Sequence, residues 1–179
     1  EATARLSAAL ASADAADETW TWSTDHTAGF VARRQAHEAL IHRLDAELAA
    51  GAVTALDPAL AADGVDECLA VMFGGAPEWG RFTPGEGLVR VDLADAGVSR
   101  WVRLGTFDGT DPDDGTTYTD EPDIDVVADP GGEPDAVVTG PAGPMDAWLW
   151  GRGDSSAVTM TGDQEVCDRF VAIVGQSID

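Results

Sequence analysis

The chain has 179 residues, 44% of them hydrophobic, which is enough for one medium domain or two small ones with a buried core. It carries 33 acidic and 10 basic residues, every basic one an Arg, and its formal net charge is −23. A surface this negative repels phosphate backbones and anionic lipid headgroups. The composition therefore argues against nucleic-acid and membrane partners.

The two cysteines, Cys68 and Cys167, lie far apart and lack the spacing of zinc ribbons, redox motifs or disulfide frameworks. Both are predicted to be buried as small apolar residues. No run approaches the ~20 consecutive apolar residues of a membrane helix, and no basic-plus-apolar leader opens the chain. These features predict a soluble, cytoplasmic protein. Because Glu1 leads directly into Ala-rich helical sequence, a missing upstream segment is expected.

Helical patterns dominate the first part of the chain. Residues 2–16 form one candidate helix, and residues 27–50 form a longer one that ends at Gly51, a common helix terminator. Asp57-Pro58 is a typical helix start, and the third helix is predicted to continue to the Gly74-Gly75 break.

After Pro77 the pattern changes to strands and turns, with a hairpin predicted over residues 87–107. Residues 108–122, rich in Asp, Gly and Thr, are predicted to form a long acidic loop. Further short elements follow: strands at 124–127, 136–138 and 157–160, and helices at 141–150 and 164–174. This order predicts an α+β protein with an all-α domain at residues 1–77 and a small α+β domain at residues 78–179.

Candidate metal ligands lie on the long helix predicted over residues 27–50. Glu38 and His42 are four residues apart, which places their Cβ atoms about 5–6 Å apart on one helix face. Their carboxylate oxygen and imidazole nitrogen could reach one Zn²⁺ at roughly 2.0–2.2 Å each. Asp45 could accept the other imidazole N–H, and Arg34 could hold the Glu38 carboxylate.

The same spacing also has an ordinary explanation. Glu and His at this separation are common on solvated helices, where they form salt bridges with neighbours such as Arg43 and Glu47. Spacing alone leaves both interpretations open. His37 is one residue off the ligand face and is expected in the core or in a supporting role, and His26 is expected in a connector before the helix.

Short motifs along the whole chain nevertheless resemble the mycothiol-dependent maleylpyruvate isomerase family. The motifs that carry this resemblance are Trp20-Thr21-Trp22, Gly29-Phe30, Arg33-Arg34, Ala36-His37-Glu38, His42-Arg43, Asp45-Ala46, Asp57-Pro58, residues 62–67, Gly140-Pro141-Ala142, Leu149-Trp150-Gly151-Arg152 and Thr161-Gly162-Asp163.

The resemblance implies a fold and a metal. Proteins of this family pair a DinB-like four-helix bundle, which holds a divalent metal that is usually zinc, with a smaller domain similar to sterol carrier proteins. Glu38 and His42 match two of the three protein ligands. The third, a His in the first helix of the bundle, is expected upstream of Glu1, and no residue of this sequence matches it. Either that segment is missing, so that the bundle here is partial, or the site has been lost.

The resemblance also implies chemistry. In the family the open metal position accepts a low-molecular-weight thiol, mycothiol, as cosubstrate, and its thiolate adds to an activated carbon of a small carboxylate-bearing or electrophilic substrate. Isomerases and transferases both use this step. Arg152 is expected as a catalytic residue that holds a carboxylate, although its side chain could equally cap the preceding helix.

The expected partners are a small-molecule substrate and the thiol, and the sequence does not indicate an oligomeric state. Two other classes stay open: a non-catalytic binding or regulatory protein that keeps the fold, and a hydrolase or other metal-assisted enzyme. The sequence contains no Gly-x-Ser-x-Gly elbow and no Gly-rich phosphate loop. Thiol consumption distinguishes the classes, because only a thiol-dependent isomerase or transferase needs a free thiol.

Overall fold

The computed structural model describes residues 1–153 and 155–178. The chain divides into two compact units, Glu1–Thr54 and Ala55–Asp179. Among the described residues, the first unit is helical with one isolated β-bridge, and the second combines helices with a five-stranded sheet. This confirms the predicted α+β class. Within the same residues, no helix is both long enough and apolar enough to cross a membrane.

The first unit contains helix α1, Ala2–Ser12, and helix α2, Ala28–Ala50. The hydroxyl of Thr27 accepts the Phe30 N–H at 3.1 Å and starts α2, and Gly51 ends it with a left-handed φ of 69°. One face of α2 is buried at helical spacing and the other is charged. Its buried residues are Phe30, Arg34, His37, Leu40, Ile41 and Leu44.

The second unit is built on a mixed sheet. Its strands are β1, Gly80–Leu93; β2, Val98–Thr110; β3, Thr117–Val127; β4, Ala136–Gly140; and β5, Thr159–Gly162. Their order in the sheet is β3-β2-β1-β4-β5, with β1 and β4 parallel and every other neighbouring pair antiparallel. β1 is therefore central, and β3 and β5 are the edges of the sheet.

The prediction of a long acidic loop over residues 108–122 is wrong. Only residues 111–116 lie between strands, because β2 continues to Thr110 and β3 begins at Thr117. The segment lacks the apolar alternation of a half-buried strand, but backbone pairing between β2 and β3 still makes it part of the sheet. Pro122 lies in an edge strand, which is where proline is tolerated within sheets.

Helices of the second unit pack around this sheet. They are α3, Pro58–Glu67, which continues as a π-helical turn over Cys68–Phe73; α4, Ala142–Leu149; and α5, Gln164–Val174. The buried stripe of α5 includes Cys167 and Phe170. Both cysteines are free and buried, which confirms that prediction.

The division between the units differs from the predicted domain boundary at residues 77/78. Residues 55–77 belong to the second unit because α3 packs directly against α4. This packing is close. A Cβ on Gly64 would lie 2.7 Å from the carboxylate of Asp146, a buried residue of α4.

Candidate functional site

Four polar side chains of α2 form one continuous cluster. Nε2 of His42 lies 3.0 Å from Oε2 of Glu38, and Nδ1 of His42 lies 3.0 Å from Oδ2 of Asp45. The other Glu38 oxygen, Oε1, pairs with the guanidinium of Arg34, which is buried. All three contacts follow from the i,i+3 and i,i+4 geometry of one helix face. They match the neighbours predicted for each side chain.

The protonation of His42 decides what this cluster can bind. A carboxylate can only accept, so the short contact to Asp45 requires Nδ1–H as the donor. In a neutral imidazole Nε2 then presents its lone pair to Oε2 of Glu38. Two lone pairs at 3.0 Å repel unless a cation lies between them. Either a proton on Nε2 or a metal ion would make this approach favourable.

A zinc ion fits the two donors in part. In a tetrahedral site with bonds of about 2.0–2.1 Å, neighbouring donor atoms lie roughly 3.3–3.4 Å apart. The observed separation of 3.0 Å is close to this edge length, and the His42 side chain, 64% exposed, leaves the approach open. Asp45 cannot share the same ion because it contacts the opposite side of the ring. Among the described residues, no three His, Cys, Asp or Glu side chains are arranged to hold a metal.

The other histidines lie where the sequence predicted. His37 is 1% exposed and forms part of the buried face of α2. His26 is exposed in the connector before α2, where its carbonyl accepts the N–H of Thr19 at 3.0 Å. His26 is therefore a suitable control for any test of His42.

Arg152 follows α4 in the second unit. Its Nη1 donates to the carbonyl of Trp150 at 2.5 Å, and its backbone N–H donates to the carbonyl of Ala147 at 2.7 Å. Ala147 lies in the last turn of α4 and Trp150 is its C-cap residue, so Arg152 does cap the helix end, as one alternative predicted. The residue also lines a cavity of about 460 Å³ together with Trp148, Val174 and Gln176. This volume lies in the range of about 300–1,000 Å³ that is typical of small-molecule sites.

Two family models match almost the whole chain. The mycothiol maleylpyruvate isomerase N-terminal domain matches residues 1–47, and the MDMPI C-terminal domain matches residues 59–169. The second match alone spans more than half of the sequence. The chain belongs to the mycothiol maleylpyruvate isomerase family. The predicted resemblance is confirmed, and Glu38 and His42 fall within the N-terminal match.

Similarity to solved structures is weak for this family member. A UbiJ-SCP2 ubiquinone synthesis protein shares 15% identity, with 82% of this chain and 96% of that chain covered and a TM-score of 0.31. The stereoselective inverting sec-alkylsulfatase Pisa1 from Pseudomonas sp. shares 13% identity, with 49% of this chain and 12% of that chain covered and a TM-score of 0.29. Similarities at this level carry no information about activity. No curated protein matches the chain.

A second concave site, in the C-terminal unit of this family member, was not predicted from the sequence. Its cavity measures about 470 Å³, and its lining includes Trp79, Phe107 and Tyr118. These three residues are separated by up to 39 positions and share no periodicity. Two of them lie in or beside the segment predicted as a loop, so no local signal indicated the cluster.

Proposed function

We propose that this chain functions as a metal-dependent isomerase or transferase that uses a low-molecular-weight thiol on a small carboxylate-bearing or electrophilic substrate. The proposal rests on one observation. Two candidate ligand atoms, Oε2 of Glu38 and Nε2 of His42, converge at 3.0 Å on an open face of α2, where either a proton or a metal ion would bridge them. Family membership supports mycothiol as the thiol.

Each residue of the cluster has a role in this proposal. Glu38 and His42 would hold the metal, zinc being the ion that suits a carboxylate and an imidazole. Asp45 fixes the His42 tautomer with Nε2 available, and Arg34 restrains the Glu38 carboxylate. A divalent cation, when bound, supplies the positive charge that stabilises a thiolate at neutral pH. A third protein ligand has to complete the set.

Arg152 is proposed to bind a substrate or thiol carboxylate. A guanidinium can donate two parallel hydrogen bonds to a carboxylate, which fixes its orientation as well as its position. In a chain of net charge −23, an anionic substrate also needs a local positive group to overcome the general repulsion. The cavity beside Arg152 is large enough for a small substrate.

The direct test is an isomerisation assay with maleylpyruvate and mycothiol in the presence of zinc. We expect turnover that requires mycothiol and stops when a chelator removes the metal. The controls omit the thiol, or replace mycothiol with an alcohol of similar structure that cannot form a thiolate. Thiol-independent turnover of the substrate would contradict the proposal and favour a metal-assisted hydrolase.

Replacing Arg152 with Ala should raise KM for a carboxylate substrate by roughly tenfold or more and lower kcat less, because a charge-assisted contact of about 1.5–3 kcal/mol is lost from substrate binding. Arg169→Ala is the matched control. That guanidinium also donates to a backbone carbonyl, that of Glu86 at 3.0 Å, but it does not line the cavity. Equal KM values for both variants would show that Arg152 only caps α4.

A non-catalytic binding protein is the second candidate function. It is favoured by the finding that the described residues supply two convergent metal donors and no third. Such a protein would bind the thiol or the substrate without turnover. Saturable binding of mycothiol or maleylpyruvate together with no product formation at any zinc concentration would favour this alternative.

A further inference from the structure

The cavity beside Trp79 is an open cleft whose lining includes aromatic rings and carboxylates. The ring centroids of Trp79 and Phe107 lie 5.4 Å apart, those of Trp79 and Tyr118 6.0 Å apart, and those of Phe107 and Tyr118 5.8 Å apart. Asp123 and Glu121 of β3 line the same cavity. The aromatic cluster and the two carboxylates lie wholly within the second unit and include none of the residues proposed for metal binding.

The absence of a side chain at Gly80 makes room for this cluster. A Cβ at Gly80 would overlap the ring of Phe107, so a larger residue there would displace the ring. Trp79 remains 36% exposed although it contacts two other rings, so part of its indole surface is open to a ligand. The aromatic surface is therefore positioned by the backbone and is only partly covered.

Among the described residues, the negative charge at this site has no protein counterion. Within the described residues no Arg forms an ion pair with Asp123 or Glu121, and the sequence contains no Lys. Asp123 is half-buried and accepts only the N–H of Ile124, at 2.8 Å. Burial raises the pKa of the Asp123 carboxyl, and the charge of Asp125 raises it further against the lowering effect of the Ile124 N–H. A cation in the cavity would offset both the desolvation of the Asp123 carboxylate and its repulsion by Asp125.

We propose that this cavity binds a small organic cation, an ammonium group with apolar substituents. The face of an aromatic ring attracts a cation through its quadrupole, and Trp is the strongest of the three ring types. A carboxylate beside the rings adds direct charge neutralisation. The cavity volume of about 470 Å³ suits a small molecule rather than a peptide segment. Anionic ligands are disfavoured by Asp123 and Glu121.

The test compares choline with its uncharged carbon isostere, 3,3-dimethylbutan-1-ol, in NMR titrations that follow the Trp79 indole N–H. Choline should bind at least roughly tenfold more tightly, which corresponds to about 1.4 kcal/mol. Equal binding of the two compounds would overturn the proposal, because an apolar cavity alone would then explain the affinity. Absence of choline binding at millimolar concentration would overturn it as well.

Asp123→Asn should weaken choline binding by roughly tenfold while it leaves binding of the alcohol unchanged. Asn keeps the acceptor for the Ile124 N–H, so the local backbone is retained. Asp113→Asn is the matched control, since it removes the same charge from the exposed turn at 111–116, outside the cavity. Equal weakening by both variants would assign the effect to the general negative field and overturn the proposal.

Should Asp123→Asn fail to fold, Trp79→Leu provides the second test, with loss of choline selectivity expected.

Discussion

Replacing His42 with Ala is expected to weaken zinc binding by at least about 100-fold. Partners that only orient a metal-bound His already contribute about 10–100-fold to metal affinity, so loss of the imidazole itself should cost more. The Glu38 carboxylate would remain, held by Arg34, but one carboxylate on an exposed helix face binds zinc no better than the other acidic residues. Asp45→Asn should give a smaller loss of about tenfold, because only the tautomer of His42 is affected.

Controls matter for this measurement because 33 acidic side chains will bind zinc weakly. His26→Ala removes an exposed imidazole from the same unit and should leave the affinity unchanged. The zinc affinity and stoichiometry of each variant can be measured by calorimetric titration at physiological salt, where weak surface binding is screened. If His26→Ala and His42→Ala behave alike, the metal proposal fails and the cluster is an ordinary salt-bridge network.

The local geometry of the candidate site could be predicted from the sequence. Contacts of His42 with Glu38 and Asp45 follow from residue spacing, because helix geometry fixes which side chains meet within one turn. Residue spacing alone could not predict whether the metal site is complete. A third ligand has to come from another element, and only tertiary packing brings such residues together. Sequence likewise gives no side-chain direction at a helix end, so it allows Arg152 either to cap α4 or to bind a carboxylate.

The error in the predicted sheet, at residues 108–122, has a physical cause. The segment 108–122 lacks the apolar alternation of a half-buried strand, so its sequence indicated a loop. In the structure, Thr110 and Thr117 form the end of a ladder between β2 and β3, and Tyr118 packs against Trp79 and Phe107. Backbone pairing and long-range aromatic contacts stabilise this hairpin. Neither is encoded in the hydrophobic period of a short window.

The largest loss of stability is expected for Gly162→Ala, in the family motif Thr161-Gly162-Asp163. Gly162 has a φ of 107°, which L side chains rarely adopt, at a cost of about 1–3 kcal/mol. A Cβ there would also overlap the carbonyl oxygen of Asp135 and lie 2.8 Å from Cα of Ala136. Overpacking of this kind costs about 1–3 kcal/mol. The two effects together predict a loss of about 3 kcal/mol or more.

The surroundings of Gly162 cannot move to relieve this strain. Asp135 is bound to Leu88 of β1 by two hydrogen bonds of 2.8 Å, one from its N–H to the Leu88 carbonyl and one from the Leu88 N–H to its carboxylate. On the other side, the Asp163 N–H donates to the Asp135 carbonyl at 2.8 Å, and the Asp163 carboxylate caps α5. A shift at Gly162 would therefore disturb the central strand and the helix that buries Phe170.

Two glycine variants separate the backbone effect from the contact effect. Gly97→Ala has a φ of 63° with no atom within 4 Å of the new Cβ, so it should cost only about 1–2 kcal/mol. Gly132→Ala has neither a positive φ nor a contact and should stay within about 0.5 kcal/mol of the parent chain. Urea unfolding followed by tryptophan fluorescence measures all three. Equal midpoints for Gly97→Ala and Gly162→Ala would contradict the contact argument, because backbone strain alone would then account for the glycine of the motif.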